Sequence, residues 1–228
     1  MNKHEVLIIA AATTRSLEYV KSIQGAGITI EEVLILDDGS FLPGQRDVDK
    51  GGLMSLKLNK FCSDHAIKKS THPSNVNSDS LVRALIKSNA NLAIYSGYGG
   101  QIVGHTVLSI GKFFLHIHSG ALPEYRGSTT IYYAILNNDN CGVTAILLDN
   151  GIDTGLIVGE MAFPLPQSGS DIDFYLDVKF RSELLVDVVS YYVQHGEFKD
   201  EKPQLAHEGV AYYIMHPVLR HIAMLKLD

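Results

Sequence analysis

The sequence predicts an α/β fold in which a mostly parallel sheet is flanked by helices. Short apolar runs alternate with segments of helical periodicity through the first half of the chain, beginning with a buried strand at residues 6–11. Strands that alternate with helices form parallel sheets joined by crossover helices. The 228 residues are 46% hydrophobic and 19% charged, so the chain can bury a large core, and its composition argues against disorder.

The elements follow in chain order. Residues 14–24 show apolar side chains at helical spacing, with Thr14 or Ser16 as the expected N-cap and glycines at its end. Later strands are predicted at residues 32–36, 92–95, 113–116, 142–148 and 156–163, and later helices at residues 78–88, 129–136 and 171–194. The polar stretch 40–72 carries no predicted element. The apolar tail 211–225 is expected to pair as an extra strand or to pack as a short helix.

Charge, cysteine content and missing motifs limit the function classes. A net charge of −6 leaves no basic footprint for nucleic acid. The two cysteines, Cys62 and Cys141, lie far apart in the sequence, which argues against a disulfide framework and favours the cytoplasm. No run approaches the length of a membrane span, and Glu5 does not suit a secretory signal. Residues 10–16 lack the glycine pattern of a dinucleotide turn, which disfavours nicotinamide cofactors.

The chemistry-bearing stretch is LHIHSGALPEYRG, residues 115–127. His116 and His118 lie two residues apart at the carboxyl end of a strand, where open α/β sheets bind ligands. Asp153 follows in the polar loop DNGIDTG, and a carboxylate beside an imidazole orients the ring and favours its charged form. The spacing alone leaves three interpretations open: structural histidines, a metal site, and general acid–base catalysis.

Residues 116–127 resemble the signature of the folate-dependent formyltransferases, Asn-x-His-x-Ser-x-Leu-Pro-x-x-Arg-Gly. Residues 149–155 resemble the Asp-x-Gly-x-Asp-x-Gly loop of that family, and residues 142–144 match its Gly-Val-Thr. The family includes glycinamide ribonucleotide, methionyl-tRNA and sugar N-formyltransferases, and this chain is similar in size to a short sugar N-formyltransferase. The resemblance implies a Rossmann-like catalytic domain over residues 1–195. A C-terminal extension over residues 196–228 would pack on it or form a dimer interface.

The resemblance also implies catalytic roles. His118 and Asp153 fall on the catalytic histidine and aspartate of the family, whereas His116 stands where the family has its catalytic asparagine. We expect His116 to donate an N–H in place of that asparagine, with formyl transfer retained. The alternative is a site that uses another acyl donor or another small amine. Ser119, Gly120 and Ala121 also depart from the family, which commonly has serine where Gly120 stands.

The implied donor is 10-formyltetrahydrofolate, and no metal is expected. The residues expected to bind the donor lie in two loops: Tyr98, Gly99, Gly100, Gln101 and Ile102 in the first, and Leu148, Asp149, Asn150, Gly151 and Ile152 in the second. The residues expected to contact the acceptor are Thr13, Arg15, Tyr125 and Arg126. Their hydroxyls and guanidinium groups suit a phosphate or carboxylate, and the tyrosine offers a stacking face.

A small amine is the expected acceptor. Methionyl-tRNA formyltransferases add a C-terminal barrel and a basic surface, whereas this sequence is short and acidic. We therefore expect an amino sugar, either nucleotide-linked or of the nonulosonic-acid type, and a role in carbohydrate biosynthesis, with a homodimer as an option. A metal-dependent hydrolase using His116, His118 and Asp153, and a non-catalytic folate-binding protein, stay open as alternatives.

Overall fold

The computed structural model describes residues 5–37, 53–205 and 208–228, which fall into two compact units. The first unit comprises the described residues up to His116 together with Val189–Glu197, and the second comprises Ile117–Val188 and the described residues from Phe198 onward. The domain boundary expected after residue 195 stays a prediction.

Parallel strands alternate with helices in the first unit. Its elements are β1 (Val6–Ala11), α1 (Thr14–Gly25), β2 (Ile30–Leu36), α2 (Leu53–Asp64), β3 (Lys69–His72), α3 (Asp79–Lys87), β4 (Leu92–Ser96), α4 (His105–Leu108) and β5 (Phe113–His118). The strands pair in the order β3-β2-β1-β4-β5, and every pairing between them is parallel. β1 is fully buried and lies at the centre of this order, as its unbroken apolar run predicts.

The last residues of β5 belong to the second unit, which adds an antiparallel pair and a small separate sheet. Its elements are β6 (Tyr125–Gly127), α5 (Thr130–Asn137), β7 (Cys141–Leu147), β8 (Leu156–Phe163), α6 (Asp177–His195), β9 (Val210–Tyr212) and α7 (Pro217–Leu225). A π-helical turn, Ile172–Leu176, precedes α6, whose last residues run into the first unit. β8 pairs antiparallel with β7, and β6 pairs parallel with β9.

The fold prediction is confirmed. The seven strands of the main sheet follow the order β3-β2-β1-β4-β5-β7-β8, and the sheet is mostly parallel, with helices between its strands, in a Rossmann-like arrangement. None of the helices in the described ranges is long and apolar enough to span a bilayer.

Several local expectations need correction. α2 and β3 lie within residues 40–72, for which no element was expected, and the remainder of that stretch lies outside the described residues. The N-cap of α1 is Thr13 and neither Thr14 nor Ser16, because the Thr13 hydroxyl accepts from the Ser16 amide at 3.2 Å. The C-terminal tail forms both expected structures in succession, the strand β9 and the helix α7.

His72, the last residue of β3, is a buried polar residue of the first unit. Its two ring nitrogens lie 2.8 Å from the Ser70 hydroxyl and 2.9 Å from the Ser80 hydroxyl. Burial holds the pKa of the imidazole below its usual value of 6.5, although the Glu32 carboxylate opposes this shift.

We expect His72 to make the protein less stable in acid. Between the lowered pKa in the fold and 6.5, the unfolded chain binds a proton that the folded chain does not, so stability rises with pH. The free energy of unfolding, measured in urea at a series of pH values, should therefore decrease as the pH falls below about 6.5. His72→Gln should remove this component, whereas His105→Gln, at an exposed position, should keep it. An unchanged pH dependence in His72→Gln would contradict the assignment.

Candidate active site

His118 and Asp153 meet in the second unit. Nδ1 of His118 lies 3.4 Å from Oδ2 of Asp153, and both side chains are largely buried. The same carboxylate oxygen accepts the Gly127 amide N–H at 2.9 Å. The histidine stands at the end of β5 and the glycine at the end of β6, so one carboxylate joins the ends of these two strands.

The loop that carries Asp153 is held in an unusual backbone conformation. Asp153 has φ +53°, in the left-handed region that costs a non-glycine residue about 1–2 kcal/mol. Asp149 stabilises the loop, because its Oδ1 accepts the Gly151 amide at 3.0 Å and the Thr154 hydroxyl at 2.8 Å. At Gly155 a Cβ would collide with the carbonyl oxygen of Leu147, so this position requires glycine.

Both ring nitrogens of His118 face acceptors within the second unit. Nε2 lies 2.7 Å from the Tyr125 carbonyl oxygen, and Nδ1 faces the Asp153 carboxylate. A carbonyl oxygen only accepts, so Nε2 must carry the proton of that bond. With Nε2 donating, Nδ1 is the ring nitrogen whose lone pair is available, so this geometry is compatible with both proton chemistry and metal binding at His118.

Two threonine hydroxyls fix the loop between β5 and β6. Thr144, the threonine of the Gly-Val-Thr segment, donates to the Gly120 carbonyl at 2.7 Å and accepts the Leu122 amide at 3.1 Å. The Thr130 hydroxyl donates to the Ser119 carbonyl. The Gly-Val-Thr match marks the segment that contains Thr144, but no sequence pattern indicates a role for its hydroxyl or for Thr130.

Two residues expected to contact the acceptor are buried in the second unit. The ring of Tyr125 stacks on Tyr212 with centroids 5.4 Å apart, and its hydroxyl donates to Asp139. Burial, and after it this hydrogen bond, raises the pKa of Tyr125 to about 12. Arg126 is only 7% exposed and donates to Gln204, Glu208 and Leu205, so both side chains are engaged in internal contacts and do not present a substrate surface.

The other two expected acceptor contacts, Thr13 and Arg15, lie at the start of α1 in the first unit. Thr13 is buried as the N-cap. The Arg15 guanidinium donates to the Ser96 hydroxyl at 3.2 Å and to the Gly97 carbonyl at 2.5 Å. The arginine thus links α1 to the end of β4, where the first of the two loops expected to bind the donor begins.

That first loop, residues 97–102, is fixed by its side chains. The Tyr98 hydroxyl donates to the Leu36 carbonyl at 3.0 Å, and Gln101 bonds the backbone of Ser74 and Val76 at 2.9 and 3.1 Å. Gly99 and Gly100 leave open space where a Cβ would stand. Of the residues expected to bind the donor, Ile102 presents the most apolar surface here, at 58% exposure.

The second expected donor-binding loop lies in the second unit, before Asp153. Leu148 packs against the buried cluster of Leu122, Ile146 and Ile157. Asn150 and Gly151 are exposed, and the Ile152 side chain is 58% exposed. The loop therefore offers backbone groups and one apolar side chain next to Asp153.

His116 is described with the first unit. Its ring lies against Tyr95, with centroids 5.8 Å apart and planes tilted by 54°, and its Nδ1 is 3.4 Å from the Tyr95 carbonyl oxygen. Burial raises the pKa of Tyr95 to about 12. His116 thus stands on an aromatic, low-dielectric surface.

Comparison with known proteins decides the family. A family model described as Formyl transferase matches residues 45–183. The chain belongs to the formyl transferase family. This family consists of enzymes that transfer formyl groups.

Solved structures of like fold include two N-formyltransferases. A sugar N-formyltransferase from Shewanella sp. aligns over 99% of this chain and 88% of its own, with a TM-score of 0.64 and 16% identity. The N-formyltransferase from Helicobacter canadensis, in complex with folinic acid and dTDP-3-aminofucose, aligns over 93% of this chain and 71% of its own, with a TM-score of 0.62 and 21% identity. Likeness at these identities shows the fold alone.

Relatives by sequence carry a different name. The methionyl-tRNA formyltransferase of Methylacidiphilum infernorum is 41% identical over 88 residues, which are 38% of this chain and 27% of that protein. A second, from Sulfurovum sp., is 29% identical over 96 residues, 42% of this chain and 31% of that protein. The chain spans about a third of the length of the curated relatives it matches.

The formyl transferase signature departs at Gly120 in a way that the structure explains. A Cβ at this position would lie 2.6 Å from the Tyr125 carbonyl oxygen and 2.9 Å from Nε2 of His118. The serine common in the family would therefore occupy the place where the His118 ring meets Tyr125. The absence of a side chain at Gly120 thus allows the observed orientation of the His118 ring.

We expect Gly120→Ser to break the bond between His118 and the Tyr125 carbonyl, because the new side chain takes its place. Overpacking of this kind costs about 1–3 kcal/mol, and the free energy of unfolding in urea should fall by that amount. Gly25→Ser is the matched control, since a Cβ at Gly25 meets no atom within 4 Å. Equal stability of Gly120→Ser and wild type would show that the contact between the His118 ring and the Tyr125 carbonyl does not require glycine at this position.

Proposed function

We propose that the chain is an N-formyltransferase that moves a formyl group from 10-formyltetrahydrofolate to the amine of an amino sugar, either nucleotide-linked or of the nonulosonic-acid type. The observation that carries this proposal is the His118–Asp153 pair, bonded to Gly127 within the motif order of the formyl transferases. The sugar N-formyltransferases of like fold support the choice of acceptor.

The donor supplies a formyl carbon whose bond to the folate nitrogen breaks as a bond to the acceptor amine forms. The proton lost by the amine ends on that folate nitrogen, so the products are a formamide and tetrahydrofolate. The task of the chain is to stabilise the negative charge that develops on the formyl oxygen. A preorganised donor at such a position contributes about 2.7–4 kcal/mol.

We assign this donation to His118 and His116. The Asp153 carboxylate orients the His118 ring and compensates a positive charge on it. Nε2–H of His118 donates to the Tyr125 carbonyl in this structure, and a substrate oxygen would replace that carbonyl as the acceptor. His116 takes the place of the family asparagine as the second N–H donor.

We assign donor binding to the two loops that the sequence indicated, residues 98–102 in the first unit and residues 148–152 in the second. The chemistry of each loop fits a folate. In the first loop, Gly99 and Gly100 have no atoms near their Cβ positions and give access to backbone groups. The exposed side chains of Ile102 and Ile152, one in each loop, offer apolar contact to a planar ring. No residue of these loops is needed as a metal ligand for this reaction.

Methionyl-tRNA is the second candidate acceptor, because the curated relatives carry that name. Binding to an RNA backbone requires cationic side chains that neutralise phosphates. The net charge of −6 argues against this acceptor. An assay of both acceptors decides between the two candidates.

We expect the purified protein to transfer formyl from 10-formyltetrahydrofolate to a member of an amino-sugar panel, detected by mass spectrometry as a gain of about 28 Da, the mass of one formyl group less one hydrogen. Formylation of initiator methionyl-tRNA and of no sugar would instead support the second candidate. Binding of the donor in calorimetry, with no transfer to any acceptor, would contradict the enzyme assignment and favour a folate-binding protein.

Substitutions distinguish the two histidines. His118→Ala should abolish transfer, whereas His116→Asn should retain part of it, because asparagine restores the neutral donor of the family. His221→Ala, at an exposed position of α7, is the matched control and should leave the rate unchanged. An active His118→Ala beside an inactive His116→Asn would invert the assignment.

A further inference from the structure

Gln204 lies outside every sequence motif and makes four hydrogen bonds within the second unit. Its Nε2 donates to the Asp153 carbonyl at 3.1 Å and to the Gly155 carbonyl at 2.7 Å. Its Oε1 accepts from Nε of Arg126 at 3.2 Å and from Nη2 at 2.9 Å. Carbonyl oxygens only accept and a guanidinium only donates, so these partners fix which end of the amide is which.

We propose that Gln204 is a positioning residue for Asp153, which acts on formyl transfer by holding the aspartate loop against Arg126. This inference rests on the proposed function, because it concerns the same reaction. Gln204 touches neither His118 nor the Asp153 carboxylate in these contacts, and its effect passes through the backbone of the loop.

Asp153 needs such support. Its left-handed φ of +53° is unfavourable for aspartate, and residues in such conformations persist where their surroundings hold them. The same residue must keep one carboxylate oxygen on both the Gly127 amide and the His118 ring. The two bonds from Gln204 fix the carbonyls on either side of Thr154, which sets the direction of the Asp153 side chain.

Arg126 anchors Gln204 in turn. Besides the two bonds to the glutamine, its guanidinium donates to the Glu208 carbonyl at 2.6 Å and to the Leu205 carbonyl at 3.4 Å. Arg126 therefore fixes both the Gln204 side chain and the backbone carbonyls of Leu205 and Glu208. The signature arginine, expected from the sequence to contact the acceptor, instead orients the residue that holds Asp153.

Gln204→Glu separates the bonds that Gln204 makes to Arg126 from those that it makes to the Asp153 loop. A carboxylate keeps the length of the side chain and the acceptors that face Arg126. It places an oxygen, in place of the N–H donors, against the carbonyls of Asp153 and Gly155. We expect kcat to fall about 100-fold with the KM for the folate donor unchanged, since a misdirected catalytic group costs about this factor. Gln167→Glu, the same change at an exposed position, should leave both constants unchanged.

The Gly127 amide gives a readout that does not need catalysis. Its N–H donates to the Asp153 carboxylate, so its hydrogen exchange, followed by NMR, reports whether that carboxylate is in place. Exchange should accelerate about tenfold or more in Gln204→Glu, as expected for loss of one such bond, and should be unchanged in Gln167→Glu. If wild type transfers no formyl group, the proposed function fails, and this exchange still decides the positioning role.

A double-mutant cycle with Asp153→Asn tests the route of the effect. If Gln204 acts through Asp153, adding Gln204→Glu to Asp153→Asn should change the remaining rate less than about twofold. Additive losses, or a protected Gly127 amide with unchanged kcat in Gln204→Glu, would overturn the proposal. Because the Gln204 side chain is only half-buried, the variants are expected to fold, and the thermal midpoint of each verifies this. If Gln204→Glu does not fold, Gln204→Met, which keeps the length and loses the donors, takes its place with the same expected results.

Discussion

The second unit depends on the placement of one carboxylate. Oδ2 of Asp153 accepts the Gly127 amide N–H and faces Nδ1 of His118, so it joins the ends of the consecutive strands β5 and β6. The Asp153 backbone adopts a left-handed conformation that is unfavourable for a non-glycine residue. The neighbouring glycines follow from this constraint, because side chains at Gly120 and Gly155 would displace the groups around it.

The C-terminal segment contributes to the same arrangement. β9 pairs with β6, Tyr212 stacks on Tyr125, and Arg126 bonds the backbone at Leu205 and Glu208. These contacts are specific hydrogen bonds and ring contacts between short elements, and they bring the chain beyond α6 to the strand that carries the signature. Two of the residues that the sequence indicated as acceptor contacts, Tyr125 and Arg126, are engaged in these contacts of the second unit.

The sequence predicts the strands of the main sheet other than β3, and it predicts the His118–Asp153 pair, because unbroken apolar runs and a long motif are local signals. It does not predict α2, whose buried positions include Met54, Leu58 and Cys62 within an otherwise polar stretch. The sequence also does not predict the pairing of β6 with β9 or the hydrogen bonds by which Gln204 connects Arg126 to the Asp153 loop. Three-residue strands and a single glutamine 51 residues after Asp153 carry no periodic pattern, and their roles arise only from tertiary contacts.

The central claim is that the Asp153 carboxylate, through His118, is used for formyl transfer. It is tested most directly by a single turnover with a donor carrying a ¹³C-labelled formyl group, followed by NMR of the acceptor. The account predicts transfer by wild type and a loss of about 10³-fold or more in Asp153→Asn, which keeps the size of the side chain and removes its charge. An Asp153→Asn protein that transfers the label at the wild-type rate would contradict the account.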